Sequence, residues 1–173
     1  MGWANSVVLT VSDIGAEVHS RDDVDLRPTG APAQPYHAAA EMAPEERDAV
    51  LARSLEETEA AAVDALSDLL GDDVRAVGVV ISPGVRHIPI ERVLTSSRLL
   101  HMAEVTVYQQ ALRGAAAALR LPCATVTFAQ AEEHELWPAV AGLGKAIGPP
   151  WRKDHKFAAV AAWVAAWTKS SGP

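Results

Sequence analysis

The sequence has a single cysteine, no long apolar run and fewer basic residues than acidic ones, 15 against 22. Cys123 alone cannot form an internal disulfide, and its apolar surroundings predict a core position. Apolar runs fall short of the ~20 residues that a membrane span needs, so no membrane partner is expected. The formal net charge is −7, which disfavours nucleic acid as a partner. The first residues lack a signal-peptide pattern, so the expected location is the cytoplasm.

Apolar sequence is plentiful, at 49% of 173 residues, and much of it is alanine. This content predicts one α/β domain over residues 1–173 with closely packed helices. β-branched residues at 6–12, followed by roughly alternating polarity over 16–26, predict an N-terminal β-hairpin. The apolar runs at 74–82 and 123–128 predict strands that are buried on both faces, as in the parallel part of a sheet.

Helices are predicted between and after these strands. The segment 44–71 begins with proline and ends with glycine, which suit the two ends of a helix. Residues 90–121 have the period of one long helix. Two more helices are predicted over 131–147, with a break near Trp137–Pro138, and over 154–168. The alternation of strands and helices along the sequence indicates a mixed sheet flanked by helices. This sheet would have an N-terminal hairpin and a parallel second half.

A segment rich in proline and alanine separates the hairpin from the first predicted helix. Residues 27–43 contain three prolines and show no clear period, which predicts a flexible loop. Tyr36 and His37 are the residues of this segment that could take part in chemistry. Loops of this kind serve most often as mobile cover, and on that reading neither side chain has a chemical role.

The predicted helix over 90–121 carries a polar row within its apolar face. Ser97, His101, Glu104 and Tyr108 follow the spacing i, i+4, i+7, i+11, so they lie on one side of the helix. His101 and Glu104 are close enough there to share a hydrogen bond, and a carboxylate fixes the tautomer of an imidazole. Three interpretations of this pair are open: a hydrogen-bonded network in the core, an acid–base couple, or two metal ligands.

Further candidate residues lie near the ends of predicted elements. Asp154, where the last helix begins, either caps that helix or forms an anion or metal site with Lys156. Asp13 ends the first strand, and ligand sites in open α/β sheets lie beyond strand ends, although a turn aspartate needs no ligand. Arg86 or His87 follows a later strand, where either is placed to meet an anionic group.

The order of these elements resembles the RNase H-like superfamily, in particular its RuvC-type resolvase branch. The likeness is best over 76–167, where a strand, a long helix, a strand, a Gly-rich connection and an Ala-rich helix opened by an acid follow one another. The resemblance implies that carboxylates from the first strand, a middle element and the last helix bind magnesium or manganese for phosphodiester cleavage. Asp13 and Asp154 match two of these positions.

The sequence departs from that family's pattern at the implied site. Asp13 lies at the end of its strand, the central strand ends in Ser82–Pro83 without an acid, and Phe157 stands where a second acid is expected. Glu104 would have to supply the missing carboxylate. The resemblance therefore implies an altered metal site made of Asp13, Glu104 and Asp154.

Three functions stay open at this point. The first is a divalent-metal-dependent phosphodiester hydrolase, or a degenerate relative, of RNase H-like fold. The second is a small-molecule enzyme in which His101 and Glu104 perform acid–base chemistry without a metal. The side chains expected near that pair are Tyr108, Asp154 and Lys156. The third is a non-enzymatic homodimer with tryptophans at its interface. The candidates for that interface are Trp137, Trp151, Trp163 and Trp167.

Overall fold

The structure, a computed structural model, describes residues 2–71, 73–85 and 87–170, without the side chains of the last two. The contacts divide the chain into two compact units, each built from separate segments. The single domain over 1–173 stays a prediction. The first unit comprises Met1–Trp3, Asp25–Leu69 and Ser82–Leu119. The second unit comprises Ala4–Val24, Leu70–Ile81 and Arg120–Pro173.

Among the described residues, the first unit contains four helices. Two are short, α1 (Pro35–Ala40) and α3 (Ile90–Leu94). The long helices α2 (Pro44–Leu69) and α4 (Ser97–Ala118) pack against each other, and α1 packs on both. The predicted helix over 44–71 is therefore confirmed.

The predicted helix over 90–121 is interrupted. Thr95 and Ser96 separate α3 from α4, because the side chain of Ser96 accepts the N–H of Leu99 and caps a new helix. Serine at this position satisfies backbone groups that a continuous helix would pair internally. The polar row therefore belongs to α4 alone.

Helix α1 lies inside the segment 27–43 that is predicted to be a flexible loop. Pro35 occupies the first turn, where its fixed φ suits a helix. Pro35 and Ala39 are buried, and Ala39 packs with Leu94 and Leu100. Six residues make fewer than two turns, too few for a hydrophobic period, which is why the sequence pattern does not indicate this helix.

The second unit contains nearly all of both β-sheets. β1 (Trp3–Ser12) and β2 (Gly15–Asp25) form a two-stranded antiparallel sheet, which confirms the N-terminal hairpin. β3 (Val77–Ile81) and β4 (Cys123–Thr127) form a separate two-stranded parallel sheet. The expected single mixed sheet is thus replaced by two sheets. The hairpin meets the core of this unit through apolar side chains rather than through strand pairing; these are Val7, Leu9, Val11 and Ala16.

Strands β3 and β4 are less buried than their apolar sequence predicts. Val79 and Val126 are the buried residues of the two strands. Cys123, which is predicted to lie in the core, is exposed at the start of β4. In this sheet each strand has one neighbour, whereas a strand covered on both faces is typical of wider parallel sheets.

Three helices complete the second unit: α5 (Phe128–Glu133), α6 (Trp137–Ile147) and α7 (Lys153–Ser170). α7 packs on β3 and β4, and the contact is close at Gly78, where a Cβ would lie 2.0 Å from the carbonyl oxygen of Ala161. The inward-facing residues of α7 form the core of this unit together with those of α5 and α6. This core includes Val126, Leu136, Val140, Phe157, Val160 and Trp163. No helix in the described part of the chain is long and apolar enough to cross a membrane.

Candidate acid–base site

The polar row of α4 has an exposed half and a buried half. Ser97 and His101 are exposed, whereas Glu104 and Tyr108 retain 0% and 7% of their accessible surface. The two buried residues lie one turn apart on the same side of the helix. Both contact the segment that carries α1, so this side of α4 holds that segment.

Glu104 binds the beginning of α1. Its Oε1 accepts the backbone N–H of Tyr36 over 2.9 Å, and the backbone N–H and Nδ1 of His37 over 3.1 Å each. Gln34, which precedes α1, does not cap it with its side chain. Since the first N–H groups of a helix lack partners within that helix, Glu104 supplies the acceptor from another element.

The second oxygen of Glu104 is buried without such a partner. Glu104 Oε2 makes no hydrogen bond to any residue in the described part of the chain. A buried carboxylate oxygen without a donor loses its hydration and gains little in return. The side chain therefore has one well-satisfied oxygen, which faces α1, and one unsatisfied oxygen.

This environment changes the acidity of Glu104. Burial raises the pKa of Glu104 above its ordinary value, and the hydrogen bonds from His37 and Tyr36 offset part of that rise. Burial also raises the pKa of Tyr36 and of Tyr108, and the Glu104 carboxylate adds to the rise in both. The side chains of Glu104, Tyr36 and Tyr108 thus resist becoming negatively charged.

Contact with Glu104 fixes the orientation of the His37 ring. Because Glu104 Oε1 already accepts two backbone N–H groups, it acts as an acceptor, and Nδ1 of His37 must be the donor. In the neutral ring, Nε2 then carries the lone pair. Nε2 lies on the far side of the ring from Nδ1, so this lone pair points away from Glu104.

Tyr108 holds the same segment one turn further along α4. Its hydroxyl donates to the carbonyl oxygen of Ala33 over 2.5 Å. Glu104 and Tyr108 therefore fix residues 33–37 at two points. The segment 27–43, for which the sequence predicts a mobile loop, is therefore anchored close to His37.

An open surface pocket of about 410 Å³ lies beside α1. It is lined by Pro32, Ala33, Gln34, His37, Ala38 and Glu41. The side chain of His37 is 43% exposed, so its imidazole joins a buried carboxylate to an accessible pocket. Its volume falls in the range of small-molecule sites, about 300–1,000 Å³, and its lining consists of small and polar residues.

His101, which is predicted to pair with Glu104, is not its partner in the structure. His101 is exposed, and the histidine that contacts Glu104 is His37, 67 residues earlier in the chain. The three-residue spacing of His101 and Glu104 on a helix permits a contact between them. Glu104 is instead turned towards the N–H groups of α1, which stabilise its charge. A buried glutamate requires donors, and Pro35, which favours a helix start, is the sequence signal that could have located them.

The predicted site residues Asp13, Asp154 and Lys156 belong to the second unit, whereas Glu104 belongs to the first. Asp13 is exposed in the turn between β1 and β2, and Asp154 is exposed in the first turn of α7. Lys156 is half-buried on the same helix. Within the described ranges, no three histidine, cysteine, aspartate or glutamate side chains form a group that could hold a metal ion. The magnesium or manganese site stays a prediction that rests on the resemblance.

The motif at 151–156 packs into its own unit. His155 is buried, where its Nδ1 accepts the backbone N–H of Arg152, and burial lowers the pKa of His155. Trp151 donates from Nε1 to the carbonyl oxygen of Val140 over 3.0 Å. These contacts favour a structural role for most of the motif.

The tryptophans predicted at a dimer interface are largely internal. Trp137, Trp151 and Trp163 pack in the core of the second unit, while Trp167 is 41% exposed. The homodimer stays a prediction. Of the residues expected to meet an anion after the third strand, His87 is exposed and Arg86 lies outside the described residues.

No protein-family model, no curated protein and no solved structure matches this chain.

The raised pKa of Glu104 predicts a particular dependence of stability on pH. A raised native pKa means that the folded state binds the proton more tightly than the unfolded chain. Protonation of Glu104 therefore adds stability below the ordinary glutamate pKa, and this contribution is lost as the pH rises through the native pKa. In Glu104→Gln, urea unfolding at a series of pH values should lack this loss, because the amide keeps an acceptor for α1 and does not ionise.

The matched control for this substitution is Glu41→Gln, which removes an exposed carboxylate from the same segment. Its free energy of unfolding should follow the wild-type pH curve. Parallel curves for wild type and Glu104→Gln across the acidic range would contradict the assigned role of the buried carboxylate.

Proposed function

We propose that the chain is an acid–base enzyme for a small molecule, in which His37 exchanges a proton with the bound compound and Glu104 holds the imidazole. One observation carries the proposal: His37 Nδ1 lies 3.1 Å from the buried Glu104 Oε1, and His37, whose side chain is 43% exposed, lines the pocket. The proposal keeps the acid–base hypothesis from the sequence and replaces His101 with His37.

The proposed step is a proton transfer from the bound compound to His37 Nε2. The bond between the reacting atom and its hydrogen breaks, its electron pair stays on the compound, and a new N–H bond forms at Nε2. The imidazolium that results lies against the Glu104 carboxylate, which stabilises it through the Nδ1–H hydrogen bond. Return of the proton to the compound, or to water, restores the neutral ring.

The capping interaction between Glu104 and α1 does not depend on the histidine side chain. The backbone N–H groups of Tyr36 and His37 already provide the capping interaction between Glu104 and α1. The imidazole adds a third donor, and it belongs to a residue that also lines an accessible pocket. A buried carboxylate that orients a half-exposed imidazole is an arrangement that positions a general base.

Base catalysis can be measured with 5-nitrobenzisoxazole, a neutral compound that reacts with any suitably placed base. Removal of its C3 proton forms a nitrile, breaks the N–O bond and releases a coloured phenolate. The wild-type protein should accelerate this ring opening, and His37→Asn should lower the rate on the order of 10²-fold, the usual contribution of a general base.

His101→Asn is the matched control, since His101 is an exposed histidine of the same unit. It should leave the rate unchanged. Equal rates for wild type and His37→Asn, or a loss confined to His101→Asn, would contradict the proposal. Circular dichroism of each variant would establish that the fold is intact.

A second candidate function is phosphodiester hydrolysis by an RNase H-like protein with a magnesium or manganese site. The observation that favours it is the parallel pairing of β3 and β4 with α7 packed on both strands. Asp154, which the resemblance marks as a ligand, is exposed in the first turn of that helix. The pairing is one part of the order of elements that the resemblance implies, and the family's fold and its acidic site both belong to the proposal.

Thermal unfolding with added manganese separates this candidate from the first. A metal that binds only the folded chain raises the melting temperature, so manganese should stabilise the wild type but not Asp154→Asn, and DNA should be cut. An unchanged melting temperature together with intact DNA would remove this candidate.

A further inference from the structure

The pocket beside His37 has an uneven distribution of charge. Apart from the histidine, Glu41 is the ionisable residue among the side chains that line it, and neither lysine nor arginine lines it in the described part of the chain. The carboxylate of Glu104 lies behind His37. A ligand with negative charge would therefore meet repulsion and no fixed cation, whereas a positive group would meet a carboxylate.

The separation of the Glu41 and His37 side chains limits the size of a ligand that can contact both. Glu41 follows His37 by four residues and ends α1, so the two side chains lie on the same side of that helix, with Cβ atoms about 5–6 Å apart. A molecule that contacts both needs a cationic group and a proton-exchanging group separated by a few bonds. The amide of Gln34, on the same pocket wall, can accept a further N–H.

We propose that the pocket binds a small primary amine in its ammonium form, with the ammonium on Glu41 and the proton-exchanging group at His37 Nε2. The inference rests on the proposed function for its second contact, and it names the class of substrate. Phosphate esters and carboxylic acids are excluded from that class by the repulsion described above.

Three probes of nearly equal size separate the charge classes: 2-aminoethanol is a cation, 1,2-ethanediol is neutral and glycolate is an anion. Each would be titrated into ¹⁵N-labelled full-length protein while the backbone amide resonances of residues 32–41 are followed. 2-Aminoethanol should shift the resonances of this segment and saturate at the lowest concentration. Glycolate should shift them least.

Glu41→Gln should weaken binding of 2-aminoethanol by about threefold, the scale of an exposed ion pair. Glu45→Gln is the matched control, since Glu45 is a nearby exposed glutamate outside the pocket lining, and it should bind as the wild type does. The inference is overturned by glycolate binding as tightly as 2-aminoethanol, by unchanged affinity in Glu41→Gln, or by no shift with any probe.

The same titration on His37→Asn separates this inference from the proposed function. If 2-aminoethanol still binds in a manner that depends on Glu41 while His37→Asn leaves turnover of 5-nitrobenzisoxazole unaffected, the amine pocket stands and the acid–base assignment fails. If turnover depends on His37 but Glu41→Gln leaves amine binding unchanged, the base stands and the substrate class is wrong.

Discussion

The burial of one carboxylate against the first turn of a short helix is the constraint on which the first unit depends. Glu104 is fully buried, and its Oε1 is satisfied by donors of α1. Removing such an oxygen from water is unfavourable unless donors replace the lost hydration. α1 has unpaired N–H groups at its start, so each element supplies what the other lacks, and α1 is held on α4.

This interaction also determines what the first unit presents to solvent. With α1 in place, His37 lines the pocket and Tyr108 holds the preceding residues through the carbonyl of Ala33. The unsatisfied Oε2 of Glu104 leaves the carboxylate less stable than a fully paired one. Buried groups with shifted pKa values beside a pocket are typical of functional sites, and this combination distinguishes the pair from an ordinary surface contact.

The sequence predicts the long or strongly patterned elements of this fold and misses the short ones. The proline and glycine at its two ends predict α2, and the alternation of polar and apolar residues predicts the N-terminal hairpin. In contrast, α1 is too short to show a hydrophobic period, and the Ser96 cap separates α3 from α4. Helical spacing identifies Glu104 as an ionisable residue on a face that should be buried. It cannot identify His37, because a contact across 67 residues depends on tertiary packing, and the local partner His101 is the choice that spacing alone favours.

The central claim is that Glu104 holds His37 with its proton on Nδ1, and the nitrogen NMR spectrum of the histidine rings tests this most directly. At a pH where the rings are neutral, His37 should have a protonated Nδ1 and an unprotonated Nε2. The exposed ring of His101 is the internal reference and should show the Nε2-protonated tautomer that free imidazoles favour. A His37 ring with its proton on Nε2 and none on Nδ1 would contradict the account.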